Sequence, residues 1–269
     1  MFDAAATLLG QSPSPITTDE YRTRQNRLFE NFATEDIIIL CSSQETIHSN
    51  DVHHPYRSQS DMIYLTGWYD PESVMFANNI DGDWRVSLFV QPKDTLKEIW
   101  EGRRPGVEGA IAEWAIDEAF PIGDLNEILS KNIAKCSKIF HRTGIRPEVD
   151  EIVVDALQRR DRSRQLIGSG PIILEDPSSR IAELRLIKSE AEIKQMRFAS
   201  DVSSIAHEAA MRSGGNGRTE NQIQAIIEGF FVFSGCSGWA YPSIVGSGEN
   251  ATILHYKENN SPCDDGDII

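Results

Sequence analysis

The first part of the chain alternates between apolar patterns typical of helices and of strands. Residues 17–32 begin with a capping-box sequence and continue with apolar residues at helical spacing, which predicts a surface helix. The unbroken β-branched run at 36–41 predicts a strand that is covered on both faces. Residues 73–77 and 84–90 are joined by a turn-rich connection, so we predict an antiparallel pair within a mixed sheet.

The same alternation continues downstream. We predict a helix after Asp124, a strand at 137–141, and a second helix that begins near Pro147 with apolar residues at i, i+3, i+4 and i+7. The sequence then loses its periodicity over residues 160–177. We therefore predict one mixed α/β domain over residues 1–177 and a second domain over residues 178–269.

The second domain opens with two amphipathic helices, each with a capping-box sequence at its start: Ser189-Glu-Ala-Glu192 and Thr219-x-x-Gln222. Short apolar runs at 243–245 and 252–256 then flank the sequence Gly-Ser-Gly-Glu-Asn. This pattern predicts a strand, a tight loop and a second strand, with His255 near the end of the second strand.

His255 is the side chain in this segment that is best suited to donate or accept a proton. Imidazole exchanges protons near neutral pH, and Gly246 and Gly248 permit positive φ angles or a close approach of the backbone. A single histidine on a strand is, however, more often a structural residue than a catalytic one. Spacing alone leaves both interpretations open.

Composition restricts the class of protein. The chain has 269 residues, enough for two ordinary domains, and a net charge of −15, which argues against a nucleic-acid partner because phosphate binding needs a basic surface. The sequence contains neither an apolar run of membrane-spanning length nor a basic segment followed by a hydrophobic one at its start, so we expect a cytoplasmic protein without a membrane partner. The four cysteines form no C-x-x-C pair, which favours thiols over a zinc site or disulfides.

Three blocks of sequence resemble a known enzyme family. They are residues 244–256 (Ile-Val-Gly-Ser-Gly-Glu-Asn-Ala-Thr-Ile-Leu-His-Tyr), residues 54–73 (His-Pro-Tyr-Arg through Glu-Ser) and residues 99–106 (Ile-Trp-Glu-Gly-Arg-Arg-Pro-Gly). In order and spacing they are similar to the Xaa-Pro aminopeptidases (aminopeptidase P) among the pita-bread metallopeptidases. The resemblance implies an α/β (α+β) fold, in which a mixed-sheet N-terminal domain of the creatinase/aminopeptidase P type precedes an incomplete pita-bread domain.

The resemblance also implies a reaction and a set of partners. Members of this family hydrolyse the bond between an N-terminal residue and a following proline, using two divalent metals, typically Mn²⁺. The implied substrate is a peptide with proline at its second position, and the implied assembly is a homodimer or homotetramer. His255 corresponds to a catalytic-site histidine that holds substrate or the transition state, and Trp100 and Asp51 correspond to substrate-binding positions that approach a neighbouring subunit's cleft.

The metal ligands that the resemblance implies, two aspartates, a histidine and two glutamates, are not found in this sequence. Asp267 corresponds to the aspartate of a Gly-Asp turn that is not a ligand, and the cluster Asp264, Asp265 and Asp267 is typical of a solvated turn. We therefore assign no metal-binding residues. We expect the chain to stop before the ligands, the 178–269 segment to be poorly packed, and the chain to be inactive alone.

Three alternatives remain open. A creatinase-like or prolidase-like hydrolase shares the two-domain plan, and a non-catalytic oligomerisation module would self-associate without binding metal. Residues 246–251 also fit the dinucleotide-binding pattern G-x-G-x-x-A. That pattern is weak here because a strand is predicted where the fingerprint needs a helix.

Overall fold

A computed structural model describes residues 3–162, 171 and 173–269 of the chain. These residues form two compact units. One is Ile16–Ile187, and the other combines the N-terminal segment up to Pro15 with Lys188–Ile269. The predicted domain boundary between residues 177 and 178 stays a prediction, and the predicted loose stretch at 160–177 lies in part outside the described residues.

The described chain contains ten α-helices and ten strands. The helices are α1 (Asp3–Leu9), α2 (Thr18–Phe29), α3 (Ser60–Thr66), α4 (Thr95–Glu101), α5 (Gly106–Glu113), α6 (Leu125–Ile133), α7 (Pro147–Arg162), α8 (Ser178–Leu186), α9 (Glu190–Ser213) and α10 (Glu220–Phe233). The strands are β1 (Asp36–Cys41), β2 (Ile47–Ser49), β3 (Val52–His53), β4 (Val74–Ile80), β5 (Asp83–Val90), β6 (Glu118–Pro121), β7 (Lys138–His141), β8 (Ile173–Glu175), β9 (Arg218–Thr219) and β10 (Pro262–Cys263). No helix in the described residues is both long and apolar enough to cross a membrane.

The Ile16–Ile187 unit is built on a six-stranded mixed sheet. Its strand order is β6-β5-β4-β1-β7-β8. β4 pairs antiparallel with both β1 and β5, whereas the three remaining pairs are parallel. The predicted mixed sheet and the predicted antiparallel pair of 73–77 with 84–90 are therefore confirmed.

The central strand β1 is buried along its whole length, as the unbroken apolar run predicts. Successive side chains of a strand point to opposite faces. Ile38 accordingly belongs to one hydrophobic core, together with Trp68 and Phe140, whereas Ile37 belongs to the other core, together with Leu129. Helices cover both faces of the sheet, which is why β1 carries no polar face.

The second unit is helical and has a small core. Helices α1, α9 and α10 pack together around Ala5, Ala206, Ile226 and Phe230. Several large apolar side chains of this unit stay exposed, namely Met196, Met211, Phe233, Tyr241, Leu254 and Ile268. The expected poor packing of residues 178–269 stays a prediction.

The predicted strands at 243–245 and 252–256 are wrong. Within the described residues this segment has no strand: it is irregular up to Ser247, forms a 3-10 helix over Gly248–Thr252, and is irregular again up to Ser261. The apolar runs were misleading because their backbone groups bond to side chains and to local turns instead of to a neighbouring strand. β9 and β10 close this loop as a short antiparallel pair.

Candidate functional site

One buried carboxylate organises the loop that carries His255. Glu220 is the first residue of α10, and its side chain is fully buried. Glu220 Oε1 accepts hydrogen bonds from the Ser247 backbone N–H at 2.8 Å and from Asn250 Nδ2 at 3.0 Å. Glu220 Oε2 accepts from the Tyr256 hydroxyl at 2.7 Å and from the Ser261 backbone N–H at 2.9 Å.

These four donors keep Glu220 ionised inside the protein. Burial by itself raises the pKa of a carboxyl group, but the hydrogen bonds from Asn250, Tyr256, Ser261 and Ser247 hold the pKa of Glu220 below its ordinary value. No cation is among these four partners. The negative charge is therefore compensated by neutral dipoles, all of which belong to residues 247–261.

The glycine turn needs small residues at two positions. A Cβ atom on Gly246 would lie 2.7 Å from the carbonyl carbon and oxygen of Asn250. Gly248 has a φ of +57°, a backbone conformation that residues with a side chain rarely adopt. Its N–H donates to the Ile268 carbonyl at 3.0 Å. The expectation from the sequence is thus confirmed: Gly246 allows the close approach of the backbone, and Gly248 adopts the positive φ.

Asn259 substitutes for the strand partner that we had predicted. Its Oδ1 accepts from the Val245 backbone N–H at 3.0 Å, and its Nδ2 donates to the Ser243 carbonyl at 2.7 Å and to Gln224 Oε1 at 2.9 Å. Asn259 itself is buried and has a φ of +46°, a conformation that asparagine tolerates better than most residues. One side chain thereby satisfies backbone groups that a strand would otherwise have paired.

His255 lies beyond the 3-10 helix and is exposed. Its ring makes no hydrogen bond or ion pair in the part of the chain that the structure describes. The next residue, Tyr256, is buried and bonded to Glu220. The imidazole is therefore held in place only through its backbone, and its nitrogens are available to another molecule.

The acidic C-terminal turn is occupied by structural contacts. Asp267 Oδ2 accepts from the Ser247 hydroxyl at 2.9 Å and from the Asp264 backbone N–H at 3.1 Å. Among the described residues, no group of three or more His, Cys, Asp and Glu side chains is arranged to hold a metal ion. These residues consequently do not fit a two-metal centre.

The dinucleotide-binding alternative lacks the helix that it requires. The segment after Gly246 forms a five-residue 3-10 helix, and an irregular segment precedes the glycines where the fingerprint needs a strand. Gly246 instead allows contact with the loop's own Asn250 backbone.

Asp51 and Trp100 line the same pocket in the Ile16–Ile187 unit. Its volume is about 690 Å³. Trp100 lies on α4, which Asp94 caps by accepting from two backbone N–H groups, and its side chain is 89% exposed. The pocket is lined by Glu45, Asp51, His53, Trp68, Asp70, Pro71, Gln91, Trp100, Glu101, Gly102, Arg103 and Arg104.

The charges of this pocket are mixed, with an excess of carboxylates. Burial raises the pKa of Asp70, and the charge of Arg104 only partly opposes that effect. Arg104 is paired with Glu101. Asp51 and Trp100, the two substrate-binding positions that the resemblance implies, are far apart in the sequence, and the fold brings them to one cavity together with Asp70.

Comparison with known proteins identifies both units. Residues 21–140 match the family described as "Aminopeptidase P, N-terminal domain", and residues 194–269 match "Metallopeptidase family M24". The chain is 33% identical over 258 residues to the Xaa-Pro aminopeptidase of Escherichia coli, an alignment that covers 95% of this chain and 58% of that protein. The resemblance seen in the sequence is therefore confirmed.

Solved structures agree with these matches. The structure of proline aminopeptidase P II from Yersinia pestis has a TM-score of 0.87 and 35% identity, covering 94% of this chain and 58% of that one. The structure of zinc-substituted E. coli aminopeptidase P in complex with product has a TM-score of 0.89 and 31% identity, with the same coverage. The expected fold class is confirmed, and the chain spans about 58% of the length of these relatives.

Proposed function

We propose that this chain, which is related to the Xaa-Pro aminopeptidases through both of its matched segments, acts as part of a metallo-aminopeptidase. The reaction is hydrolysis of the bond between an N-terminal residue and a following proline. The observation that carries the proposal is the ordered pair of matches, aminopeptidase P N-terminal domain and then family M24, at 33% identity to an Xaa-Pro aminopeptidase. These relatives also favour the aminopeptidase over the creatinase-like or prolidase-like alternative.

We assign the catalytic role in this chain to His255. Its imidazole is exposed and, in the described residues, makes no hydrogen bond, while the loop on either side of it is anchored through Ser247, Asn250 and Tyr256. A histidine held in this way can donate a hydrogen bond to a substrate carbonyl, or to the oxyanion that forms from it, without first breaking a contact within the protein.

Substrate-binding roles belong to Trp100 and Asp51. Indole offers a flat apolar surface to a proline ring, and a carboxylate attracts a peptide's cationic groups.

The exposed apolar side chains Leu96, Ile99 and Trp100 on α4 suit contact with a second copy of the chain, so we propose a homodimer or homotetramer. Light scattering tests the assembly: a purely monomeric protein would contradict it.

Membership of M24 implies dependence on a divalent metal, and we propose manganese as the ion. The described residues do not fit a metal centre, so we assign them no step of metal chemistry. We expect the 269-residue chain by itself to release no amino acid, with or without Mn²⁺.

We also propose a cytoplasmic location, and recovery of the protein outside the cytoplasmic fraction would contradict it.

The reaction is tested by incubating the natural protein that contains these residues with two matched peptides, one with proline and one with alanine at the second position. We expect Mn²⁺-dependent release of the N-terminal residue from the proline peptide alone. Equal release from both peptides would indicate a general aminopeptidase, and no release from either would contradict the proposal.

Replacing His255 with alanine is expected to lower kcat about 100-fold or more with little change in Tm, since removing one oxyanion donor typically costs this much and the exposed ring makes no contact that stabilises the described fold. Steady-state kinetics and thermal unfolding of the natural protein check both parts. Lys257→Ala, an exposed change two residues away, is the matched control. Unchanged kinetics for His255→Ala would end its catalytic assignment.

Replacing Trp100 with alanine is expected to raise KM severalfold and to leave Tm unchanged, because the side chain is 89% exposed and contributes contact area to ligand and not to the core. Lys97→Ala on the same helix is the control, since Lys97 is also exposed but lines neither the pocket nor the proposed contact surface. An equal KM for Trp100→Ala and the wild type would remove Trp100 from the substrate-binding site.

A further inference from the structure

We infer that Glu220 is the positioning residue for His255: its buried carboxylate holds the whole 247–261 loop in the arrangement that presents the imidazole. The inference rests on the proposed function, because it gives Glu220 a role in that reaction. Glu220 is given a positioning role and not a catalytic one, since its side chain is fully buried and so does not reach a substrate.

Side-chain contacts hold this loop more than regular structure does, and Glu220 makes four of them, in addition to the contacts of Asn259 and Asp267. Between Ser247 and Ser261 the only regular element is the 3-10 helix Gly248–Thr252. Glu220 contacts the loop before that helix at Ser247, within it at Asn250, and after it at Tyr256 and Ser261. These contacts fix the loop at points on both sides of His255.

Asn250 links the contacts into one network. Besides bonding to Glu220, Asn250 Nδ2 lies 3.1 Å from the Tyr256 hydroxyl and 3.0 Å from Ser261 Oγ. Tyr256 and Ser261 are therefore each linked to Asn250, and all three residues also contact Glu220. A shift of one anchor disturbs the others, so the loop should respond to a change at Glu220 as a unit.

Both carboxylate oxygens are used as acceptors, which makes the site sensitive to a change of one atom. Glu220→Gln keeps the size of the side chain but replaces one acceptor oxygen with an NH₂ group, which faces two donors. A glutamine can satisfy only half of the present arrangement. The amide must either leave donors unpaired or move the loop.

The first experiment follows backbone amide signals of the natural protein that contains these residues by two-dimensional ¹H–¹⁵N NMR. We expect Glu220→Gln to shift or broaden the signals of residues 247–261 while the signals of α9 stay in place. The control is Glu249→Gln, the same change of charge at an exposed position within the loop. Unchanged loop signals in folded Glu220→Gln would overturn the inference.

The second experiment is a double-mutant cycle in the natural protein, with kcat for a proline peptide as the readout. We expect Glu220→Gln to lower kcat about 100-fold, the scale of a misplaced catalytic group, and to lower it little further when His255 is already alanine. An equal loss in both backgrounds would show that Glu220 does not act through His255, and would overturn the inference.

A milder variant covers the case in which Glu220→Gln does not fold. Tyr256→Phe removes one of the four donors and leaves the ring packed, so we expect smaller shifts of the same loop signals and a smaller loss of kcat that again disappears in the His255→Ala background. Wild-type signals and kcat in Tyr256→Phe would contradict the inference. If the wild-type protein cleaves no proline peptide, the proposed function fails, whereas the NMR result still decides whether Glu220 holds the loop.

Discussion

Gly246→Ala is expected to reduce kcat of the natural protein about 100-fold. The added Cβ would lie 2.7 Å from the carbonyl carbon and oxygen of Asn250 and 2.9 Å from the Ala251 nitrogen, distances that real Cβ contacts do not reach. All three atoms belong to the backbone, so no rotamer change can relieve the clash. The 3-10 helix must move, and a displacement of about 1 Å at a catalytic group can lower the rate about 100-fold.

Steady-state kinetics on a proline peptide measure this effect. Gly123→Ala is the matched control, because a Cβ there meets nothing within 4 Å and Gly123 lies in the other unit. Wild-type kcat in a folded Gly246→Ala variant would show that the loop conformation does not matter for the reaction.

Trp68→Ala is expected to lower the free energy of unfolding by about 3–5 kcal/mol, the range found for removal of a large buried aromatic. Trp68 is 1% exposed, its ring packs edge-on against Trp114 at 4.8 Å between centroids, and its Nε1 donates to Ser73 Oγ at 2.8 Å. Alanine would leave a cavity in the core above the sheet and would remove the donor that Ser73 now accepts from.

Urea unfolding of the 269-residue chain, followed by circular dichroism, checks this value. Trp100→Ala makes the same chemical change at an exposed position and is expected to leave the midpoint unchanged. A loss below about 1 kcal/mol for Trp68→Ala, less than a typical large-to-small core substitution, would mean that this core does not stabilise the fold as the packing indicates.

The sheet could be predicted because short stretches of sequence specify its strands and the turn between β4 and β5. The six residues of β1 read as a two-sided buried strand, and β4 and β5 are separated by a turn-rich connection that can only join neighbours. The capping boxes at Ser189 and Thr219 likewise act within one turn, and both helices begin where these residues predict. In each case the deciding interaction spans a few residues of sequence.

The candidate site could be predicted only in part, because its decisive contacts are distant in sequence. Glu220 resembles any acidic residue in the first turn of a helix, yet its partners lie 27 to 41 residues further on. Asn259 likewise looks like a loop residue, although it satisfies the Val245 backbone that a strand would have paired. Apolar runs on either side of the glycines therefore favoured a hairpin that the structure does not form.

The roles proposed for individual residues all depend on the reaction proposed for the natural protein. The direct test is release of the N-terminal residue from a peptide with proline at the second position, measured with and without added Mn²⁺ and against a peptide with alanine at that position. We expect metal-dependent release from the proline peptide only. Absence of release by a folded, metal-supplemented protein would contradict it.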